Sequence, residues 1–220
     1  MTAFVVGPYR DRVEILSDGA EYTPDGIVLG TAYKVHPSEA LPLAVVGSGA
    51  VAEIKLMADM ILAAADATGS VDAALKLLAG ALSEIGESPN LDTGLRIAIG
   101  AISESDGPVC YVFSTFDDPG SSVGAFELCR MPRVFAQGAA PTGADFAAYG
   151  ALSIEHGLEK DAVFMMDAMR RQKMVNPAAS HREPIHSVGG HIDLTVISAK
   201  GITSACLHTW PDVIGQPITP

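Results

Sequence analysis

PLAVVGSGAVAEIKLMADMILAAADA, residues 42–67, changes its period half-way along. Up to Gly49 it reads as a strand closed by a glycine-rich turn: Val45 and Val46 are β-branched, and Gly47 and Gly49 follow. Beyond the turn Ile54, Met57, Ala58, Ile61, Leu62 and Ala65 recur at the three- and four-residue steps of an amphipathic helix. Lys55, Asp59 and Asp66 interrupt the apolar stretch, so it falls short of the ~20 apolar residues that a membrane span needs.

This stretch is the first boundary between blocks. Before it, "AFVVG", "RVEILSDG" and "DGIVLGTAYKVH" are strand-like and separated by turn residues. After it comes a second helix, with Ser70 as N-cap, Val71, Ala74, Leu75, Leu78, Leu82 and Ile85 as its stripe, and Gly86 to end it. Strand signals return in "LRIAIGAIS", "VCYVFSTF", "GAFELCR" and "RVFAQG". Two more helices are expected over about 143–156 and 159–175. Thr142 and Asp145 have capping-box spacing, Ala162, Met165, Met166 and Met169 share a face, and "NP" at 176–177 is the stop. "HIDLTVISAKGITSACLH" closes the chain as two strands about a glycine turn. Segregated blocks of strands and helices argue α+β layers rather than alternating α/β. Two stacked antiparallel sheets flanked by helix pairs, 51–67 with 71–86 and 143–156 with 159–175, would bury every apolar face. The 220 residues fit one domain spanning 1–220, because a single core commonly extends to about 250 residues.

Composition narrows the function classes. A formal net charge of −12 disfavours nonspecific nucleic-acid binding, which needs Lys and Arg clusters. Cys110, Cys129 and Cys206 are odd in number and far apart, so the expectation is three small core residues in a reducing, cytoplasmic setting. The N-terminus lacks a basic segment followed by a long apolar one, so no signal peptide is expected. His181, His186, His191 and His208 have no known ligand spacing, and no G-K-[ST] follows the "GSG" turn. No metal and no cofactor is expected.

Thr2 heads the first strand, Asp18 ends the second sixteen positions on, and Lys34 follows after sixteen more; then comes the "GSG" turn. This constellation resembles the β-type subunits of proteasomes and their bacterial proteasome-like relatives, within the N-terminal nucleophile (Ntn) hydrolase superfamily. The resemblance covers nearly the whole chain. It implies a four-layer αββα sandwich and a threonine peptidase or amide hydrolase that acts once Met1 is removed. The chemistry accounts for the residue types. A threonine hydroxyl needs a base, and Thr2's own α-amine, with an ordinary pKa near 7.7–8.0, can serve. The Lys34 ammonium would keep that amine free to take a proton, and Asp18 would aim Lys34. A backbone N–H of the turn, at Gly49 with Gly47 and Ser48 as fallbacks, would hold the oxyanion. The resemblance further implies a homo-oligomer, as a ring or similar, a peptide substrate, and an unfoldase ATPase or other gating partner.

Two departures stand out. A Gly-Ser-Gly that supports the amine in the family is here "AQGAAPTGAD", with Ala139 at the Ser position. An Asp-x-x-Ser-Gly-Gly is here "IHSVGGHID": Gly189 and Gly190 match, Ile185 and Val188 stand at the Asp and Ser positions, and Ser187 or His186 would have to substitute. These departures favour a rival reading, a non-catalytic structural or assembly protein on the same fold. A small-molecule amidase is the second enzyme alternative.

Overall fold

The computed structural model describes residues 2–86, 94–118, 121–175 and 181–220. The first strand block folds as β1 (Phe4–Pro8), β2 (Arg12–Asp18), β3 (Ala20–Tyr22), β4 (Val28–Thr31), β5 (Val35–Pro37) and β6 (Leu43–Ser48). The expected continuous strand through "DGIVLGTAYKVH" is broken in two. The break falls where the chain passes from pairing with β3 to pairing with β6; there the Ala32 N–H donates to Gly19 O and Lys34 reaches Asp18.

Helices α1 (Val51–Thr68) and α2 (Val71–Gly86) follow, as their periods require. α1 stops at Gly69, whose φ of 63° is left-handed and whose N–H returns to Ala65 O. Ser70 accepts from the Ala73 N–H, as an N-cap does. A second cap came unannounced: the Glu104 carboxylate accepts from the Val71 and Asp72 N–H groups.

The second strand block is β7 (Arg96–Ser103), β8 (Gly107–Ser114), β9 (Cys129–Arg130) and β10 (Phe135–Gln137). Then come α3 (Gly143–Tyr149), a 3-10 turn (Glu159–Asp161), α4 (Ala162–Arg171), β11 (Lys173–Met174), β12 (Ile185–His186), β13 (His191–Ser198) and β14 (Gly201–Thr209). The later helices are shorter than expected, and Asn176–Pro177, read as their stop, lies outside the described residues. The capping box of Thr142 and Asp145 forms as expected, yet α3 ends at Gly150 after seven residues and buries none of them. The loop that replaces its continuation is tied down by Asp161, which accepts from Tyr149 Oη and the Ser153 N–H at 2.8 and 2.6 Å.

The protein is a mixed α+β structure with antiparallel sheets. One five-stranded sheet has the order β10-β1-β2-β13-β14, the other β5-β6-β7-β8-β9, and β3-β4 and β11-β12 form two-stranded pairs. Among the described residues, three large apolar clusters and a small one of Ala20, Val28 and Ile218 make up the interior. One joins Leu43, Val45, Ile97, Ile99 and Phe113 of the second sheet to Ile54, Ile61, Leu75 and Leu82 of α1 and α2. Another joins Val5, Leu16, Ile192 and Leu194 of the first sheet to Met165, Met166 and Met169 of α4, so the methionine stripe is core. The third takes residues from both large sheets: Phe4, Val6, Val13 and Ile15 meet Val46, Ala98, Cys110 and Val112. The cysteine expectation holds for buried Cys110 alone. Cys129 is half-buried, and Cys206 is exposed because it lies on β14, the solvent-facing edge strand.

Gly100 in β7 marks how closely elements of the two large sheets approach. A Cβ there would stand 2.8 Å from Val13 Cγ1 and 3.0 Å from Ile197 Cδ1. Gly100→Ala therefore overpacks a filled interior, and we expect it to lower stability by about 1–3 kcal/mol, read as a reduced urea midpoint at unchanged slope. An unaltered midpoint would mean that β7 does not face β2 and β13 this closely.

Candidate functional site

Asp18 is fully buried at the last position of β2, and its carboxylate is saturated. Oδ1 accepts from the Ala3 N–H and from Lys34 Nζ, both at 3.0 Å. Oδ2 accepts from the Ala20 and Gly189 N–H groups at 3.2 and 3.3 Å. Four donors fill the roughly four lone-pair positions that a carboxylate offers. Burial of this charge is tolerated because every one of its faces is paired.

Lys34 donates to the Ala20 carbonyl at 2.6 Å as well as to Asp18. Thr2 is placed by its neighbours on both sides of the cleft. The Ala3 N–H is clasped by Asp18, the Ala3 carbonyl accepts from the Asp18 N–H at 3.1 Å, and Thr2's own N–H donates to Ser48 Oγ at 3.3 Å. Thr2, Lys34, Gly47 and Gly49 all line one cavity of about 110 Å³, room for a side chain rather than a drug-sized ligand. Gly49 has φ +154°, a conformation that favours glycine, and a Cβ there would stand 2.4 Å from Leu95 Cδ2.

The rest of the lining is mixed: Ala20, Tyr22, Ala32 and Ile54 with Glu21, His36 and Lys55. Burial, helped by the Asp18 charge, pushes the Tyr22 phenol up, while a hydrogen bond with Ser187 opposes that shift. Burial also pushes the His36 imidazole below its ordinary range. Lys55 adds to this and Asp59 opposes it. His36 therefore presents a neutral ring to the cavity at neutral pH.

The structure thus brings Thr2, Lys34 and Gly49 to one cavity with Asp18 behind the lysine. Met1 lies outside the described residues. Ala139 is buried and brings no hydroxyl. The polar group that meets the Thr2 nitrogen is Ser48 instead, from the far sheet; its place in the "GSG" turn was legible, its direction was not. The substitutes suggested for the second departure are occupied elsewhere. Ser187 is bonded to Tyr22, and His186 Nδ1 lies 2.9 Å from the Arg170 carbonyl. Gly189, by contrast, serves the site through its backbone. Sequence comparison with protein-family models and with curated proteins returned no match for this chain.

The His36 shift has a sign that can be measured. Its folded-state pKa is depressed, so the unfolded chain binds the proton more readily, and stability falls as pH drops through the ordinary imidazole value near 6.5. His36→Asn should flatten the fall of the urea midpoint below about pH 6.5 relative to the parent. An identical pH slope in both proteins would contradict this account of the ring.

Proposed function

We propose that the chain is a threonine-type N-terminal nucleophile hydrolase of the proteasome β-like kind, cleaving peptide or amide bonds. The proposal includes the four-layer αββα sandwich. The three clusters support it: one lies between the helix pair and the second sheet, one is shared by both sheets, and one lies between the first sheet and α4. The observation that carries the functional reading is the double grip of Asp18. One oxygen, Oδ1, holds both the backbone beside Thr2 and the Lys34 ammonium, so nucleophile and cation are referenced to the same atom.

With Met1 removed, the Thr2 nitrogen is a free amine beside Ser48 Oγ. As Thr2 Oγ bonds to the substrate carbonyl carbon, the amine takes the hydroxyl proton. The Gly49 N–H holds the developing oxyanion. The proton passes to the leaving nitrogen as the C–N bond breaks, which leaves an ester on Thr2. Water then adds to the ester carbonyl, gives its proton to the same amine, and releases the acid as Oγ–H is restored. Lys34 lowers the amine's proton affinity through its charge. Asp18 aims Lys34 without touching substrate.

The expected outcomes are specific. Protein whose intact mass shows a mature N-terminus at Thr2 hydrolyses fluorogenic peptides and is labelled by a boronate or epoxyketone probe. Thr2→Ala abolishes both. Lys34→Ala does nearly the same with the fold intact, and Asp18→Asn costs less if Asp18 only orients. Absence of labelling and turnover in Met1-free protein would leave the non-catalytic scaffold; turnover of small amides alone would leave the amidase.

A homo-oligomer belongs to the same reading. Leu56 and Met60 on α1 and Leu77 on α2 each expose more than half their surface, an arrangement that favours association. Light scattering at micromolar concentration should give a particle several times 22.8 kDa, and Leu56→Glu with Met60→Glu should shift it to smaller mass. A monomer in the parent protein would remove the assembly from the proposal.

A further inference from the structure

Away from the cavity, a buried charge pair joins Arg170 to Asp212. Arg170 lies in the last turn of α4 and Asp212 in the segment after β14. Both side chains are 5% exposed. Both terminal nitrogens donate twice: Arg170 Nη1 to Asp212 Oδ2 at 2.9 Å and to the Val188 carbonyl at 2.8 Å, and Nη2 to Asp212 Oδ1 and to the Thr219 carbonyl at 2.7 Å. The guanidinium also lies over the Trp210 ring at 4.9 Å. Asp212 Oδ2 takes one more donor, the Gly190 N–H, at 2.7 Å.

Between them these bonds grip the Val188–Gly190 backbone from both sides. That backbone in turn grips the site. The Gly189 N–H donates to Asp18 Oδ2, and the Gly189 carbonyl accepts from the Gly19 and Ala20 N–H groups at 3.0 and 2.9 Å. Both acceptors of Lys34, Asp18 Oδ1 and Ala20 O, lie on the segment held in this way. The two glycines are what allow the approach. A Cβ on Gly189 would stand 2.6 Å from Asp212 Oδ2 and 2.9 Å from Arg170 Nη1. Gly190 has φ +74°, and a Cβ there would meet the Ala20 nitrogen at 2.8 Å.

We propose that Arg170 and Asp212 are positioning residues for Lys34, acting through the Gly189–Gly190 turn on Asp18 and Ala20. The inference deepens the hydrolase reading, in which Lys34 tunes the Thr2 amine. A buried ion pair adds little stability over well-packed apolar residues, so stability alone does not account for one here. What it adds is direction: the pair bonds three separate backbone groups, at residues 188, 190 and 219. Burial opposes ionisation of Asp212, but the Arg170 hydrogen bond, the Gly190 N–H and the Arg170 charge together hold its carboxyl below the usual range. The pair is therefore charged at neutral pH.

The test compares the whole chain with Arg170→Met/Asp212→Leu, which fills the space but loses the bonds, and with Asp212→Asn, which keeps an acceptor for the Gly190 N–H. The primary readout needs no activity: the rate at which an N-hydroxysuccinimide ester acylates Lys34, followed by peptide mass spectrometry with exposed Lys55 as internal reference. Acylation of Lys34 relative to Lys55 should rise at least fivefold in the double variant and about twofold in Asp212→Asn. The second readout is peptide hydrolysis by Met1-free protein. There kcat should fall at least tenfold in the double variant with KM within twofold, because no cavity-lining side chain is substituted, and Asp212→Asn should recover much of kcat. An unchanged Lys34 rate in a folded double variant overturns the proposal. If the double variant does not fold, an unchanged rate in Asp212→Asn does so. A raised Lys34 rate in a protein whose parent hydrolyses nothing sustains the positioning role and removes the hydrolase reading instead.

Discussion

The carboxylate of Asp18 is the point on which this molecule turns. A charge with no exposed surface is tolerated only when its lone pairs are filled, and filling them draws in four parts of the chain: the N-terminal residues at Ala3, the hairpin at Ala20, the loop of Lys34 and the turn at Gly189. The Lys34 contact falls where the chain leaves one strand pair for another: β4 pairs with β3 and β5 with β6, and the segment between them carries the ammonium to the buried acid.

The two large sheets contribute unlike things to the cavity. The sheet of β1 and β2 places Thr2 two residues before β1 and Asp18 at the last position of β2, behind the lysine. The sheet of β6 and β7 supplies Ser48 at the end of β6, flanked by Gly47 against Ile97 and Gly49 against Leu95. The third apolar cluster draws residues from both sheets, and the Thr2 nitrogen meets Ser48 Oγ at 3.3 Å.

Much of this was legible in the sequence, and the parts that were not share a cause. Strands with β-branched runs and the long helices α1 and α2 carry their own periodicity, so their bounds could be read closely. Asp18, Lys34 and Gly49 were singled out through the resemblance to proteasome β-type subunits, and the fold brings Lys34 and Gly49 to the cavity of Thr2 with Asp18 behind the lysine. α3 could not be bounded, because its end depends on Asp161 capturing Tyr149 and Ser153, a contact that no period announces. Ser48 was visible only as part of a turn, since the direction of a hydroxyl follows from packing against the opposite sheet. Cys206 has the composition of a core residue and the address of an edge strand. Glu104 caps a helix from more than thirty positions away. Each of these depends on which segments become neighbours, and that information is distributed over the whole chain.

The clamp of Arg170 and Asp212 has a consequence for the order of events in the cell. Thr2, Asp18 and Lys34 are among the first residues made, but the turn at Gly189 and the acid at 212 are among the last. At translation rates of about 5–20 residues per second, roughly 10–40 s separate Asp18 from Asp212. During that interval Asp18 lacks the Gly189 N–H that meets its Oδ2, and the Gly190 N–H lacks the acid that holds it. On the proposed reading, synthesis itself acts as a safety catch, because the segment behind the final strand completes a site whose side chains were laid down at the start.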